Sequence, residues 1–221
     1  MIASGYWVQL LWGALVTVGV TLASLLIGTI LGIGIGAAKI YAGKPARYAA
    51  EAYTAIVRGV PDLIVIYLIY FGSTVALTKL TGTYIDVNGF AAGVFALSLI
   101  FGAYAGDIFR GAIQLVPRGQ SEAASALGLT RTAAFIKVIL PQAWRIALPG
   151  YGNLTIILLK QTSLISVIGL EELLRASSVI AGATREPFFV YAAAAVVYLA
   201  LTTSATFGLQ RVRTFVNRGI A

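Results

Sequence analysis

The sequence contains no cysteine and no histidine, a single methionine, and only eight acidic residues among 221. Without cysteine there are no disulfides and no thiolate chemistry, and without histidine the usual zinc ligand and the usual general base near neutral pH are gone. Most enzyme classes are excluded with them. Charge is scarce as well: 11% of residues are charged and 59% apolar, against roughly 25% and 45–50% in soluble domains. No G-x-x-x-x-G-K-[ST] phosphate loop occurs, so nucleotide hydrolysis is not expected of this chain. The series Gly32, Gly34, Gly36 lies inside an apolar run and lacks the strand–turn–helix setting of a dinucleotide site. Neither a cofactor nor a metal is expected here.

What the chain does have is hydrophobic length. Residues 1–38, 63–78, 87–106 and 187–210 carry no charge, and 146–170 carry only Lys160; mean hydropathy is +0.89. About 20 apolar residues cross a bilayer. No alternating ten-residue strand pattern appears, and lipid-exposed backbone must be hydrogen-bonded internally, so the crossings are helices. The expectation is an all-α integral membrane protein with five transmembrane helices near 8–38, 52–78, 88–112, 147–168 and 188–211. No internal repeat is evident, which reads as one domain over 1–221 with a core of about 9–210.

Basic residues set the orientation. Nothing before Lys39 is charged, whereas Lys39, Lys44 and Arg47 follow the first run at once, which puts that loop in the cytoplasm and the N-terminus outside. The first run lacks a basic n-region and exceeds a signal-peptide core, so it is expected to stay as an anchor. Five crossings then place eleven basic residues inside (Lys39, Lys44, Arg47, Arg110, Arg118, Arg131, Lys137, Arg145, Arg211, Arg213, Arg218) and three outside (Lys79, Arg175, Arg185). The remaining two, Arg58 and Lys160, fall within spans. This distribution explains the formal charge of +8 through a lipid bilayer and not through nucleic acid.

Several features lie inside the spans. Gly28, Gly32 and Gly36, and again Gly102 and Gly106, recur every four residues and leave one helix face open to close approach, either within the subunit or between subunits. Arg58 and Asp62 stand four apart around Pro61 and read as an intramembrane ion pair; Asp107 and Arg110, three apart, read as another. Lys160 is a lone ammonium in a hydrophobic stretch, with Asn153, Thr155, Gln161, Thr162, Ser163 and Ser166 around it. Such polar density fits the lining of a wet passage, and hydrogen-bonded helix packing would look similar.

Residues 117–145 are too polar and too interrupted for another span. Ser121 is placed to cap a short helix with Glu122 in its first turn, Gly128 to supply its C-terminal turn, and Thr130 to cap a second helix carrying Ala133, Phe135, Ile136 and Ile139. Pro141 is expected to stop that helix. Two short helices bent at a glycine make a compact knob able to enter a groove on a partner.

Here the sequence resembles a known family. Glu122-Ala123-Ala124, three residues, Gly128, nine residues, Val138, one residue, then Leu140-Pro141 is similar to the EAA motif of permease subunits of binding-protein-dependent ABC importers. The likeness covers nearly the whole chain. Segments 51–53, 58–63, 109–111, 116–119 and 147–153 look like the polar amino-acid permeases, and most like the histidine, basic amino-acid or opine type with two different membrane subunits.

The resemblance implies the type I ABC importer permease (MetI-like) fold, with the knob serving as cytoplasmic coupling helices between helices 3 and 4. It makes Glu122, Ala123, Ala124, Gly128 and Pro141 the ATPase-coupling residues, while the polar density around Lys160 makes Lys160, Gln161, Asn153, Thr162 and Ser163 the pathway candidates. It implies two ATP-binding cassette ATPases that bind the ATP and Mg, a second permease subunit, an extracytoplasmic solute-binding protein, and a place in the bacterial inner membrane. Relatives that bind a cationic amino acid directly often carry acids where this chain has Leu154 and Gln161, which points to the partner permease as the subunit holding the substrate.

Two other classes fit the sequence less well. A secondary transporter or channel using Asp62, Asp107 and Lys160 is awkward with five spans and no repeated half. An intramembrane hydrolase built on Ser163 and Lys160 has no evident oxyanion partner.

Overall fold

The computed structural model describes residues 4–85 and 87–216, and no strand occurs among them. In chain order the elements are α1 (Ser4–Tyr41), α2 (Lys44–Gly59), α3 (Asp62–Thr81), α4 (Gly89–Leu115), α5 (Arg118–Ala126) and α6 (Arg131–Ala134). A π-turn (Phe135–Ile139), α7 (Leu140–Gln161), a 3-10 segment (Thr162–Ile168), α8 (Leu173–Thr184) and α9 (Pro187–Val216) follow. Five stretches are long and apolar enough to cross a membrane: 5–41, 62–81, 89–115, 131–168 and 187–216. Arg218, counted above among the inner basic residues, lies outside the described residues.

Three boundaries differ from the sequence expectation. The second span, expected at 52–78, is two helices; the break falls at Val60, whose backbone is extended (φ −103°, ψ 139°) because the following Pro61 disfavours the helical region. Lys39 is not in a loop but in the last turn of α1. The expected outer loop 171–186 contains α8, whose start is fixed by the Glu172 carboxylate accepting from the N–H groups of Leu174 (2.9 Å) and Arg175 (2.8 Å).

α4 is the central helix, with α1 along one side and α7 along another. The α1–α4 approach explains both glycine series. A Cβ on Gly32 would stand 2.6 Å from the Cβ of Ala105, and one on Gly36 would stand 2.9 Å from the carbonyl oxygen of Gly106. In return, a Cβ on Gly106 would meet Ile35 at 2.6 Å. The two stripes therefore interlock within the subunit. Burial of Leu97, Ile100, Phe101 and Phe109 on α4 completes the seam.

On the α7 side, Phe109 stacks on Trp144 (5.5 Å between centroids), Trp144 meets Tyr151 (5.0 Å), and Tyr151 meets Phe101 edge-on (5.6 Å). The Tyr151 hydroxyl is satisfied by Thr29 Oγ1 at 2.5 Å, which ties α7 to α1.

Candidate coupling elbow and pathway face

The segment between α4 and α7 folds into a bent elbow. α5 ends in a Schellman turn: Gly128 N–H donates to Ser125 O (3.0 Å) and Leu129 N–H to Ala124 O (3.1 Å), with Gly128 left-handed at φ +76°. Thr130 then caps α6, its Oγ1 accepting from Ala133 N–H at 3.3 Å. Ala124 is buried on the inner side, whereas Glu122 and Ala123 are exposed. Leu127 and Ile136 are uncovered, at 81% and 55% exposure. The elbow thus displays a carboxylate flanked by bare aliphatic side chains.

Three expectations about this elbow need correction. Ser121 is not the N-cap: the cap is Pro117, four residues earlier, and Ser121 Oγ donates to Arg118 O. Glu122 accordingly lies in the second turn, with no acidic residue in the first. Pro141 does not stop the second helix but sits at the beginning of α7. Proline at a helix start needs no N–H partner, and the preceding five residues take π geometry, with Leu140 N–H donating to Phe135 O.

The elbow is thus continuous with the fourth span. Gln142 Nε2 donates to Gln120 Oε1 (3.1 Å), and Phe135 packs edge-on against Tyr41 at 5.5 Å, so α5 and α1 are fastened to the same lever. A cavity of about 830 Å³ lined by Tyr41, Glu122, Arg131 and Phe135 opens between the elbow and the end of α1.

Along α7, Asn153, Ile157 and Lys160 recur at the spacing of one helix face, and all three are exposed. Neither Asn153 nor the Lys160 ammonium has a side-chain hydrogen bond or ion pair among the described residues. Gln161 is half-buried and donates through Nε2 to Asp62 Oδ2 at 2.5 Å. Thr162 is fully buried and Ser163 half-buried; their hydroxyls donate to Leu159 O (2.7 Å) and Lys160 O (2.8 Å). Thr162 therefore supports the helix end and does not line an open face. Leu154 is buried.

Both sequence-derived ion pairs are replaced. Arg58 does not pair with Asp62; its guanidinium meets Asp107 of α4 and lies over the Tyr104 ring at 5.1 Å. Asp107 does not pair with Arg110; its other oxygen accepts from Lys39 at 2.5 Å, and Lys39 also donates to Thr54 Oγ1 at 2.6 Å. This triad of α1, α2 and α4 has no local signal, since the partners stand 68 and 49 residues apart. Nearby, a hydrogen bond from Arg47 (2.9 Å) holds the Glu51 carboxyl below its ordinary range.

A second hub was also silent in the sequence. Glu172 is fully buried, and beyond its two backbone donors it accepts from Tyr198 of α9 (2.9 Å) and Thr17 of α1 (3.5 Å). Thr17 Oγ1 in turn accepts from Leu173 N–H at 3.2 Å.

Long apolar helices around an exposed elbow and an unpaired polar face define a multi-pass membrane transport component. Residues 25–217 match the family described as binding-protein-dependent transport system inner membrane component, and the chain belongs to that family. It is 43% identical over 200 residues to the arginine ABC transporter permease protein ArtQ of Haemophilus influenzae, covering 90% of this chain and 89% of that one. The nopaline transport system permease protein NocQ of Agrobacterium fabrum is 38% identical over 223 residues, covering 98% and 94%. The histidine/lysine/arginine/ornithine permease HisQ of Escherichia coli is 38% identical over 198 residues, covering 88% and 87%. Among solved structures, an amino acid ABC transporter with histidines matches at TM-score 0.81 with 33% identity and 95% of each chain covered. The MetNI methionine ABC transporter matches in fold at TM-score 0.80 with 21% identity, covering 98% of this chain and 100% of that one.

Proposed function

We propose that this chain is one of two permease subunits of an ATP-driven, binding-protein-dependent importer of amino acids, of the basic amino-acid or opine class, in the bacterial inner membrane with the N-terminus outside. The observation that carries the reading is the exposed elbow, continuous with the fourth span through the π-turn. Each of two ATPase subunits, which bind ATP and Mg, grips an elbow such as this one through Glu122 and the aliphatic side chains beside it. Their closure moves α7, and with it the face that carries Asn153 and Lys160, so access to the pathway alternates. A solute-binding protein outside delivers the amino acid, and a sister permease supplies the other wall. The names of the relatives, arginine, nopaline and histidine/lysine/arginine/ornithine permeases among them, support the substrate class.

The test is reconstitution with the candidate ATPase, sister permease and binding protein, followed by uptake of labelled arginine with and without ATP. ATP-dependent uptake that requires all four components is expected. Uptake by vesicles containing this chain alone would favour a stand-alone transporter and defeat the proposal.

A further inference from the structure

The end of α1, the C-terminal half of α2 and the facing part of α4 border an open hollow of about 500 Å³ lined by Lys39, Glu51, Thr54, Arg58, Tyr104, Asp107 and Arg110 among others, within the range of roughly 300–1,000 Å³ typical of ligand sites. Its charges do not balance. Asp107 is taken by Lys39 and Arg58, and Glu51 by Arg47. Arg110 is left with neither an ion pair nor a hydrogen bond among the described residues, and Arg58 remains 45% exposed. Two guanidiniums with free N–H donors on one polar cavity call for an oxyanion, which a guanidinium binds through paired hydrogen bonds.

We infer that this cavity holds the phosphate of an anionic phospholipid of the cytoplasmic leaflet. The inference rests on the orientation proposed above, which puts the end of α1 at the inner headgroup level, where basic pockets between helices recruit such lipids. Along α2, Tyr48 and Ile56 are about two-thirds exposed and offer apolar surface to an acyl chain. A free zwitterionic amino acid fits less well: its ammonium is repelled by the same surplus of positive charge that attracts its carboxylate. A lipid of net negative charge meets no such repulsion. Bound there, it bridges α2 and α4 beside the break at Val60-Pro61.

The experiment uses the assembled importer in nanodiscs of phosphatidylcholine with increasing phosphatidylglycerol, and reads retained lipid by native mass spectrometry. Wild type is expected to retain phosphatidylglycerol selectively. Arg110→Gln should weaken retention by about tenfold, the loss of one charge-assisted hydrogen-bond set, while Arg118→Gln, on the exposed elbow, should not. Equal retention by Arg110→Gln, or no preference over phosphatidylcholine, overturns the inference. Displacement by millimolar inorganic phosphate would assign the site to a soluble oxyanion, and displacement by free arginine would assign it to the pathway; either result also overturns it.

Because the chain has no native cysteine, a single Ser125→Cys label separates the two readings. Reaction with an impermeant maleimide from the outer face would refute the orientation, whatever the lipid result.

Discussion

The carboxylate of Asp62, at the start of α3, accepts a 2.5 Å hydrogen bond from Gln161 at the end of α7, across 99 residues of sequence. It joins the start of one span to the end of the helix that carries another, and both side chains are partly buried. Gln161→Leu should lower stability by about 1–3 kcal/mol, the cost of leaving that carboxylate without its donor. Gln161→Glu should cost more, because two carboxylates would face each other. Thermal unfolding in detergent, followed by tryptophan fluorescence, orders the variants; wild-type stability for Gln161→Glu would contradict the contact.

The elbow yields a prediction about coupling. Gly128→Ala forces a side chain into the left-handed region, at about 1–2 kcal/mol, and Glu122→Ala removes the exposed carboxylate. Both variants should insert normally but lose most binding-protein-stimulated ATP hydrolysis in the reconstituted complex. Full stimulation in both would separate the elbow from energy supply.

Asp107 neutralises Lys39, which is only 4% exposed. Asp107→Asn should therefore destabilise by about 3–5 kcal/mol, since it strands a buried ammonium. The double variant Lys39→Met/Asp107→Asn should recover much of that loss. Comparable melting temperatures for the single and double variants would refute the pairing.

Lys160→Met should leave the melting temperature within a degree or two of wild type, because the ammonium holds no partner among the described residues, yet lower the uptake rate several-fold. Unchanged uptake would reduce Lys160 to a packing residue.

Burial pushes the Glu172 carboxyl above its ordinary value of 4.5, against the lowering effect of its backbone and hydroxyl donors. The folded state then holds the proton more tightly than the unfolded one, so this group's contribution to stability falls as pH rises upward from 4.5. Wild type should lose more melting temperature between pH 4.5 and pH 7 than Glu172→Gln does, and parallel profiles would refute the assignment.

The spans were legible because hydropathy is local and additive: each apolar run reports its own solvent whatever its neighbours do. The elbow was partly legible for a related reason. Gly128 and Thr130 act on hydrogen bonds within four residues of themselves, and both do what their chemistry dictates. The local reading failed where two signals competed within one turn. Pro117 begins a helix ahead of Ser121, and a π-turn carries the chain into Pro141 without a break. α8 was hidden because twelve residues fall short of a span and its cap, Glu172, reads in sequence as an ordinary loop acid.

Sequence alone determined the solvent of this protein, the number of its crossings, and the Gly128 turn and Thr130 cap of its elbow, since each depends on residues close in the chain. Only the tertiary structure decided which charge meets which. Arg58 turned from Asp62, four residues away, to Asp107, 49 away, and Asp62 to Gln161. Ion pairing between helices is set by which helices pack together, and the interlocked glycines of α1 and α4 fix that packing by bringing two backbones into contact.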